Sequence, residues 1–226
     1  MIRAGAVLFL ILTSACTSAE RAPDAAQTPA VASTPAPTTP VAARPRIVAL
    51  GDSLTAGLGL SPEEAYPALL QQRLDREGLR YEVVNAGVSG ETSAGGLRRV
   101  DWALEGDVKV LIVALGGNDA LRGLPVEQLR DNLAEIIARA KRRGIEVILA
   151  GMEAPPNFGA AYTAAFRQTY RDLAKAHDVA LVPFLLDGVA GLAHMNQTDG
   201  IHPTADGAQK VADNVWAALQ PIVKPE

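Results

Sequence analysis

The chain predicts an α/β domain in three layers, a five-stranded parallel sheet with helices on both faces. Three observations lead there. Five short runs rich in Val, Ile and Leu recur after Arg46: Ile47–Leu50, Tyr81–Asn85, Val108–Leu115, Glu146–Ala150 and Ala180–Pro183. None alternates strictly between apolar and polar residues, as expected of strands buried on both faces. Amphipathic stretches lie between the runs, and alternating β and α elements imply a doubly wound sheet with right-handed crossovers.

The helices follow in order. Ser61-Pro62-Glu63-Glu64 is a capping box with proline at the first helical position, so a helix is expected from there to Gly78, with Tyr66, Leu69, Leu70 and Leu74 on its buried face. A second, near Val126 to Arg143, sets Leu129, Leu133, Ile136, Ile137 and Ala140 on one stripe and stops at Gly144. Another is expected from about Ala160 to Ala176. The last runs from Ala205 to about Leu219 and carries Val211, Val215 and Leu219. No internal repeat and no second folded domain is visible between residues 46 and 226.

The first 45 residues differ in kind. Met1 to Ala15 has one basic residue, Arg3, an apolar run from Ala4 to Leu12 and small residues up to Cys16. That is the pattern of a secretory signal, too short for a transmembrane helix. Leu12-Thr13-Ser14-Ala15-Cys16 resembles a lipoprotein signal, although Thr13 stands where leucine is usual. It makes Cys16 the expected lipidation site; the other reading is a chance cysteine in an ordinary cleaved signal. As the only cysteine, Cys16 leaves no intrachain disulfide to form. From Thr17 to Pro45, 22 of 29 residues are Ala, Pro, Thr or Ser. Such a segment buries too little to offset its ordering entropy, so residues 16–45 are expected to form a disordered tether. As a coil it would span about 30 Å, and as polyproline II roughly 90 Å. With 21 basic against 25 acidic residues and no basic run, nucleic-acid binding is not expected.

Chemistry enters at the strand ends. Gly51-Asp52-Ser53-Leu54-Thr55-Ala56-Gly57 follows the first run, and Asp199-Gly200-Ile201-His202-Pro203 lies near the C-terminus. Together they offer a nucleophile (Ser53), a base (His202) and an acid to orient the base (Asp199), the set that acyl transfer by a serine needs. Asn85-Ala86-Gly87-Val88-Ser89-Gly90-Glu91-Thr92 closes the second run and Gly116-Gly117-Asn118-Asp119 the third. In open α/β sheets ligands bind beyond the carboxyl ends of the strands, where these blocks sit. The α/β-hydrolase elbow is excluded because Thr55 stands where its second glycine belongs. No Gly-Lys-Ser/Thr ends the glycine-rich stretch, so it is not a phosphate-binding loop.

With four such blocks in order, the chain resembles the SGNH (GDSL) hydrolase family over roughly Arg46 to Pro221, and within it the bacterial thioesterase I/lysophospholipase L1 and arylesterase group. The resemblance implies the flavodoxin-like strand order 2-1-3-4-5. It also implies that the oxyanion is met by the backbone N–H groups of Ser53 and Gly90 and the side-chain amide of Asn118. Gly87 is the rival close-approach glycine. Taken alone, Ser53, Gly90, Asn118 and Asp199 read as turn or cap residues. Asp52 is expected to brace the nucleophile turn without moving a proton, and Asp119 to cap a short helix. His177 and His194 read as surface or packing residues. Pro203 and Thr204 look like the start of the last helix, which would carry His202 on a rigid element.

The expectation is an exported serine esterase, periplasmic or on the cell surface, held at a membrane by a lipid on Cys16. Related enzymes take aryl esters, short-to-medium-chain acyl esters, thioesters and lysophospholipids, so a small-molecule or lipid ester is the expected substrate. Ala120–Pro125 and Ala154–Tyr162 are expected to shape the acyl pocket through Leu121, Leu124, Phe158 and Tyr162, residues that could equally be core. A carbohydrate O-deacetylase is the alternative, and a tethered non-catalytic binding domain the third reading. No cofactor is expected. No metal site is expected either, since three histidines and one cysteine lack ligand spacing. The chain is expected to be a monomer.

Overall fold

The computed structural model of the protein describes residues 44–224. The expected signal, Cys16 and all of the tether before Arg44 lie outside the described residues. The strands are β1 (Arg46–Gly51), β2 (Glu82–Gly87), β3 (Val108–Ala114), β4 (Glu146–Ala150) and β5 (Ala180–Val182). They pair in parallel in the order β2-β1-β3-β4-β5, the doubly wound flavodoxin-like order expected. β1 and β3, in the middle, are nearly all apolar and almost wholly buried. β2 is an edge strand with Glu82 and Asn85 exposed, so the expectation of burial on both faces fails there.

Seven helices cover the described sheet: α1 (Ser53–Ala56), α2 (Tyr66–Arg76), α3 (Ser93–Ala103), α4 (Gly117–Leu121), α5 (Val126–Arg142), α6 (Ala160–His177) and α7 (Ala205–Leu219). α5 buries all five residues of its expected stripe. Each large aliphatic side chain so placed contributes about 1.5–3 kcal/mol of transfer free energy. The helix expected from the capping box is instead split. Glu64 Oε2 does accept from Ser61 N at 3.0 Å, but only a 3-10 turn forms at Pro62–Glu64, Ala65 is extended and α2 begins at Tyr66. Pro67 explains the break. In a continuous helix its ring would meet the carbonyl of Glu63 and it has no N–H to offer, whereas in the first turn of a new helix neither matters.

α3 was not foreseen. Gly95 and Gly96 in its first turns hide the helical signal, yet both are required. A Cβ on Gly96 would lie 2.3 Å from Leu115 Cδ1, and one on Gly95 2.4 Å from Glu91 Cγ. The polar end of the sheet is set by register. Gly51 pairs with Gly87 on one side and Ala114 on the other, so the segments carrying Ser53, Gly90 and Asn118 leave the sheet from one row. The start of the domain and the end of its last helix meet on α2. Arg44, just before β1, donates to Asp75 in the last turn of α2 at 3.0 Å, and Arg73 in the same turn lies 4.6 Å over the Trp216 ring near the end of α7.

Candidate active site

Ser53 opens α1 directly after the first strand. Asp52 caps this four-residue helix, its Oδ1 accepting from Leu54 N at 3.0 Å, and Gly57 ends it in the left-handed region. The turn is packed from below. A Cβ on Gly51 would fall 2.0 Å from Thr55 Oγ1, and Thr55 is itself buried and bonded to Tyr66 Oη at 3.0 Å. Thr55 therefore fills the space that a second glycine would leave open.

His202 Nε2 lies 2.9 Å from Ser53 Oγ, and His202 Nδ1 lies 2.6 Å from Asp199 Oδ2. Asp199 Oδ1 accepts from the backbone N–H groups of Ile201 at 2.9 Å and His202 at 3.0 Å. The backbone bond from His202, then its ring, and then the bond from Ile201 hold the Asp199 carboxyl down at about 2. A carboxylate can only accept, so Nδ1 carries the ring proton and the Nε2 lone pair faces the serine hydroxyl. His202 does not ride on the last helix, as expected, but on the turn before it. That turn is tied by an antiparallel bridge between Asn196 and Pro203 and by Gln197 N donating to His202 O at 2.7 Å. Thr204 is the residue that caps α7, through Gly207 N. His177 ends α6 half-buried and His194 is exposed.

Gly90 and Asn118 line the same groove as Ser53 and His202. Gly90 sits at φ +80°, where a Cβ would meet only Arg122 Nη2 at an ordinary 3.9 Å, whereas a Cβ on Gly87 would lie 2.2 Å from Ala56 N. The two glycines thus have different reasons. Gly87 allows β2 to pass against the short helix that Ser53 opens, and Gly90 supplies the left-handed turn that brings its peptide into the groove. Asn118 Nδ2 donates to Asp52 Oδ2 at 3.2 Å, leaving the second N–H of that amide for another acceptor. Asp52 is nearly inaccessible, and burial lifts its carboxyl to about 6 against the bonds from Leu54 and Asn118 that pull it down. Asp119 does not cap its own short helix. Its buried carboxylate accepts from Ser93 N at 2.8 Å and Ser93 Oγ at 2.5 Å, so it caps α3, whose own N-cap residue Thr92 makes no such bond.

The groove has a volume of about 760 Å³. Of the expected pocket residues Leu121 lines it, along with Ala154, Pro155 and Pro156; Leu124, Phe158 and Tyr162 do not. Those three join the two loops behind it. Tyr162 Oη donates to Leu124 O at 2.8 Å and the Phe158 and Tyr162 rings are 5.4 Å apart. The remaining apolar wall is Leu54, beside Ser53, together with Leu58, Met152, Phe184, Leu186, Ala190 and Ile201. Met152, Phe184 and Leu186 follow β4 and β5, so the rule that sites form beyond strand ends pointed to them. Among the described residues no cluster of His, Cys, Asp and Glu is arranged to hold a metal ion.

A serine hydroxyl hydrogen-bonded to an imidazole, an imidazole oriented by a carboxylate, and amide donors beside them form a constellation suited to attack on an acyl carbon. Comparison with known proteins agrees. The model of the GDSL-like lipase/acylhydrolase family matches residues 49–210, a span that holds all four blocks. The chain belongs to that family. Esterase TesA of Pseudomonas aeruginosa is 45% identical to it over 183 residues, 80% of this chain and 91% of that protein. Thioesterase 1/protease 1/lysophospholipase L1 of Escherichia coli K12 is 39% identical over 183 residues, 80% of this chain and 86% of that protein. Among solved structures, the psychrotrophic esterase EstA from Pseudoalteromonas sp., inhibited by monoethylphosphonate, aligns with a TM-score of 0.74 at 32% identity. That alignment covers 78% of this chain and 97% of EstA. As a member of the GDSL-like family the chain is a carboxylic ester hydrolase.

Proposed function

We propose that this GDSL-family hydrolase cleaves aryl or short-to-medium-chain acyl esters through an acyl-enzyme on Ser53. The observation that carries the reading is the 2.9 Å approach of His202 Nε2 to Ser53 Oγ at the wall of an apolar groove. Ser53 Oγ attacks the acyl carbon as its proton passes to Nε2, and Asp199 stabilises the imidazolium so formed. The carbonyl oxygen becomes an oxyanion met by the N–H groups of Ser53, Gly90 and Asn118. Removing one such donor typically costs about 2.7–4 kcal/mol of transition-state stabilisation. The tetrahedral intermediate collapses, the acyl–oxygen bond breaks, and the leaving alcohol takes the proton from Nε2. Water then attacks the acyl-enzyme, gives its proton to the same nitrogen, and the acid leaves as Ser53 recovers it. Thioesters and lysophospholipids fit the same steps, with a thiol or a glycerol hydroxyl as leaving group.

A groove of about 760 Å³ walled by Leu58, Leu121, Met152, Phe184 and Leu186 favours acyl chains longer than acetate over polysaccharide deacetylation. We also propose that Met1–Ala15 directs export and that Cys16 becomes the lipidated first residue. Cys16→Ala should then move the enzyme from the membrane to the soluble fraction of cells. The test of the catalytic reading is hydrolysis of p-nitrophenyl esters from acetate to palmitate by the purified protein and by Ser53→Ala. The expected outcome is a rate optimum between butyrate and laurate that disappears in the variant. Retention of the full rate by Ser53→Ala would show that another residue is the nucleophile.

A further inference from the structure

No residue of α3 lines the groove, yet it holds the chain beside each of the three oxyanion donors. Its residue Arg99 reaches two of them. Arg99 Nε donates to both oxygens of Glu91, at 2.9 and 2.8 Å, and Nη2 donates to Glu91 Oε2 and, at 3.1 Å, to the carbonyl of Gly51. Gly51 stands two residues before Ser53, and Glu91 directly follows Gly90. The first residue of α3, Ser93, holds the third segment through Asp119, the neighbour of Asn118. The Arg99–Glu91 pair is largely shielded, with side-chain exposures of 18% and 11%. Gly95 is the reason it can form, because any side chain there would occupy the space of the Glu91 stem. The Gly51 carbonyl is fully used, accepting from Val88 N at 3.0 Å as well as from Arg99, so the nucleophile turn and the Gly90 turn are tied at one atom.

From this arrangement we infer that Arg99 is a positioning residue that fixes the separation of the Ser53 and Gly90 N–H donors. The inference rests on the oxyanion reading above. A planar guanidinium suits the task, because its fork spans a carboxylate and a carbonyl in one rigid plane, which an ammonium cannot do. Donors act only when aimed at the oxygen as it becomes charged. A displacement near 1 Å lowers the rate by about a hundredfold at the extreme.

The experiment compares p-nitrophenyl butyrate with its thiono analogue, in which sulfur replaces the carbonyl oxygen and accepts hydrogen bonds poorly. A general loss of folded enzyme lowers both rates alike, whereas a misaligned oxyanion site lowers only the oxygen ester. Arg99→Lys and Arg99→Gln are expected to lower the oxo-to-thiono ratio of kcat by about tenfold and thirtyfold, with KM within twofold. Glu91→Gln, which leaves the guanidinium on Gly51, should lower it in the same direction by less, and decides the matter if the Arg99 variants do not fold. Asn118→Ala serves as the reference and should lower the ratio by at least a hundredfold. If Asn118→Ala lowers the ratio and the Arg99 and Glu91 variants leave it unchanged, the inference is overturned while the esterase reading stands. If Asn118→Ala leaves the ratio unchanged, the oxyanion reading falls and the inference with it.

Discussion

Replacing Asp52 by asparagine keeps the shape of the side chain and removes its charge, and the structure fixes two consequences of opposite sign. Burial raises the Asp52 carboxyl from 3.8 to about 6. At roughly 1.36 kcal/mol per unit, the ionised form therefore costs the folded state about 3 kcal/mol. The cost is absent below pH 3.8, grows as pH rises through about 6 and is complete above it. Asp52→Asn should abolish this slope, so its stability relative to the wild type should rise by about 2.5 kcal/mol between pH 4 and pH 7.5. Activity should move the other way. Asp52 accepts twice, from Leu54 N on Oδ1 and from Asn118 Nδ2 on Oδ2; an asparagine that keeps its single oxygen on Leu54 N would turn its NH2 to Asn118 and oppose donor to donor. Asn118 must then turn its carbonyl toward position 52 and carry its N–H away from the groove. Loss of that donor should lower kcat by about 10²–10³ with little change in KM. Urea unfolding at the two pH values and p-nitrophenyl butyrate kinetics supply both numbers. A kcat within threefold of wild type, in a variant that shows the stability change, would refute the idea that Asp52 sets the Asn118 amide.

Two further outcomes follow from the same geometry. The Asp199 carboxyl, held at about 2 by the His202 N–H, the His202 ring and the Ile201 N–H, contributes stability that is in place above pH 3.8. That contribution fades as pH falls toward 2; Asp199→Asn should flatten the acid limb of unfolding followed by circular dichroism and lower kcat by about 10⁴, and superimposable acid limbs would count against it. Gly87→Ala should destabilise the domain by about 1–3 kcal/mol, because its Cβ would meet backbone atoms of Ala56 at 2.2 and 2.7 Å. Chemical denaturation measures the loss, and an unchanged midpoint would mean that β2 and α1 separate without strain.

The legible parts of the chain were those in which a local pattern has one physical meaning. The α5 stripe, the five strand runs and the three blocks that follow β1, β2 and β3 depend on residues close in sequence, and each is found at the stretch of chain its pattern marked. Ser53, Asp199 and His202 were readable as a set because few other uses demand those three types in that context. What stayed hidden depends on partners far along the chain. Asp119 looked like a local cap because nothing in its own segment reveals Ser93, 26 residues away. α3 was masked by two glycines whose reason is a neighbouring strand end and a folded-back glutamate. Arg99 sits in no local motif, and its partner Gly51 is 48 residues away. The groove wall was half legible, since the loops after strands were known but the side of each residue was not.

The start of the domain and the end of its last helix meet near the last turn of α2, Arg44 on Asp75 and Trp216 under Arg73, whereas Ser53 leaves the opposite, carboxyl end of β1. A fused protein, an affinity handle or a solid support joined at either end would therefore stand behind the enzyme and leave the groove mouth facing solution. The same closeness favours circular permutation. Lys224 follows Trp216 by eight residues, so a linker could join it to Arg44, and new ends could be opened in the exposed turn at Gly78, between α2 and β2, a turn that carries none of Ser53, Gly90, Asn118 and His202.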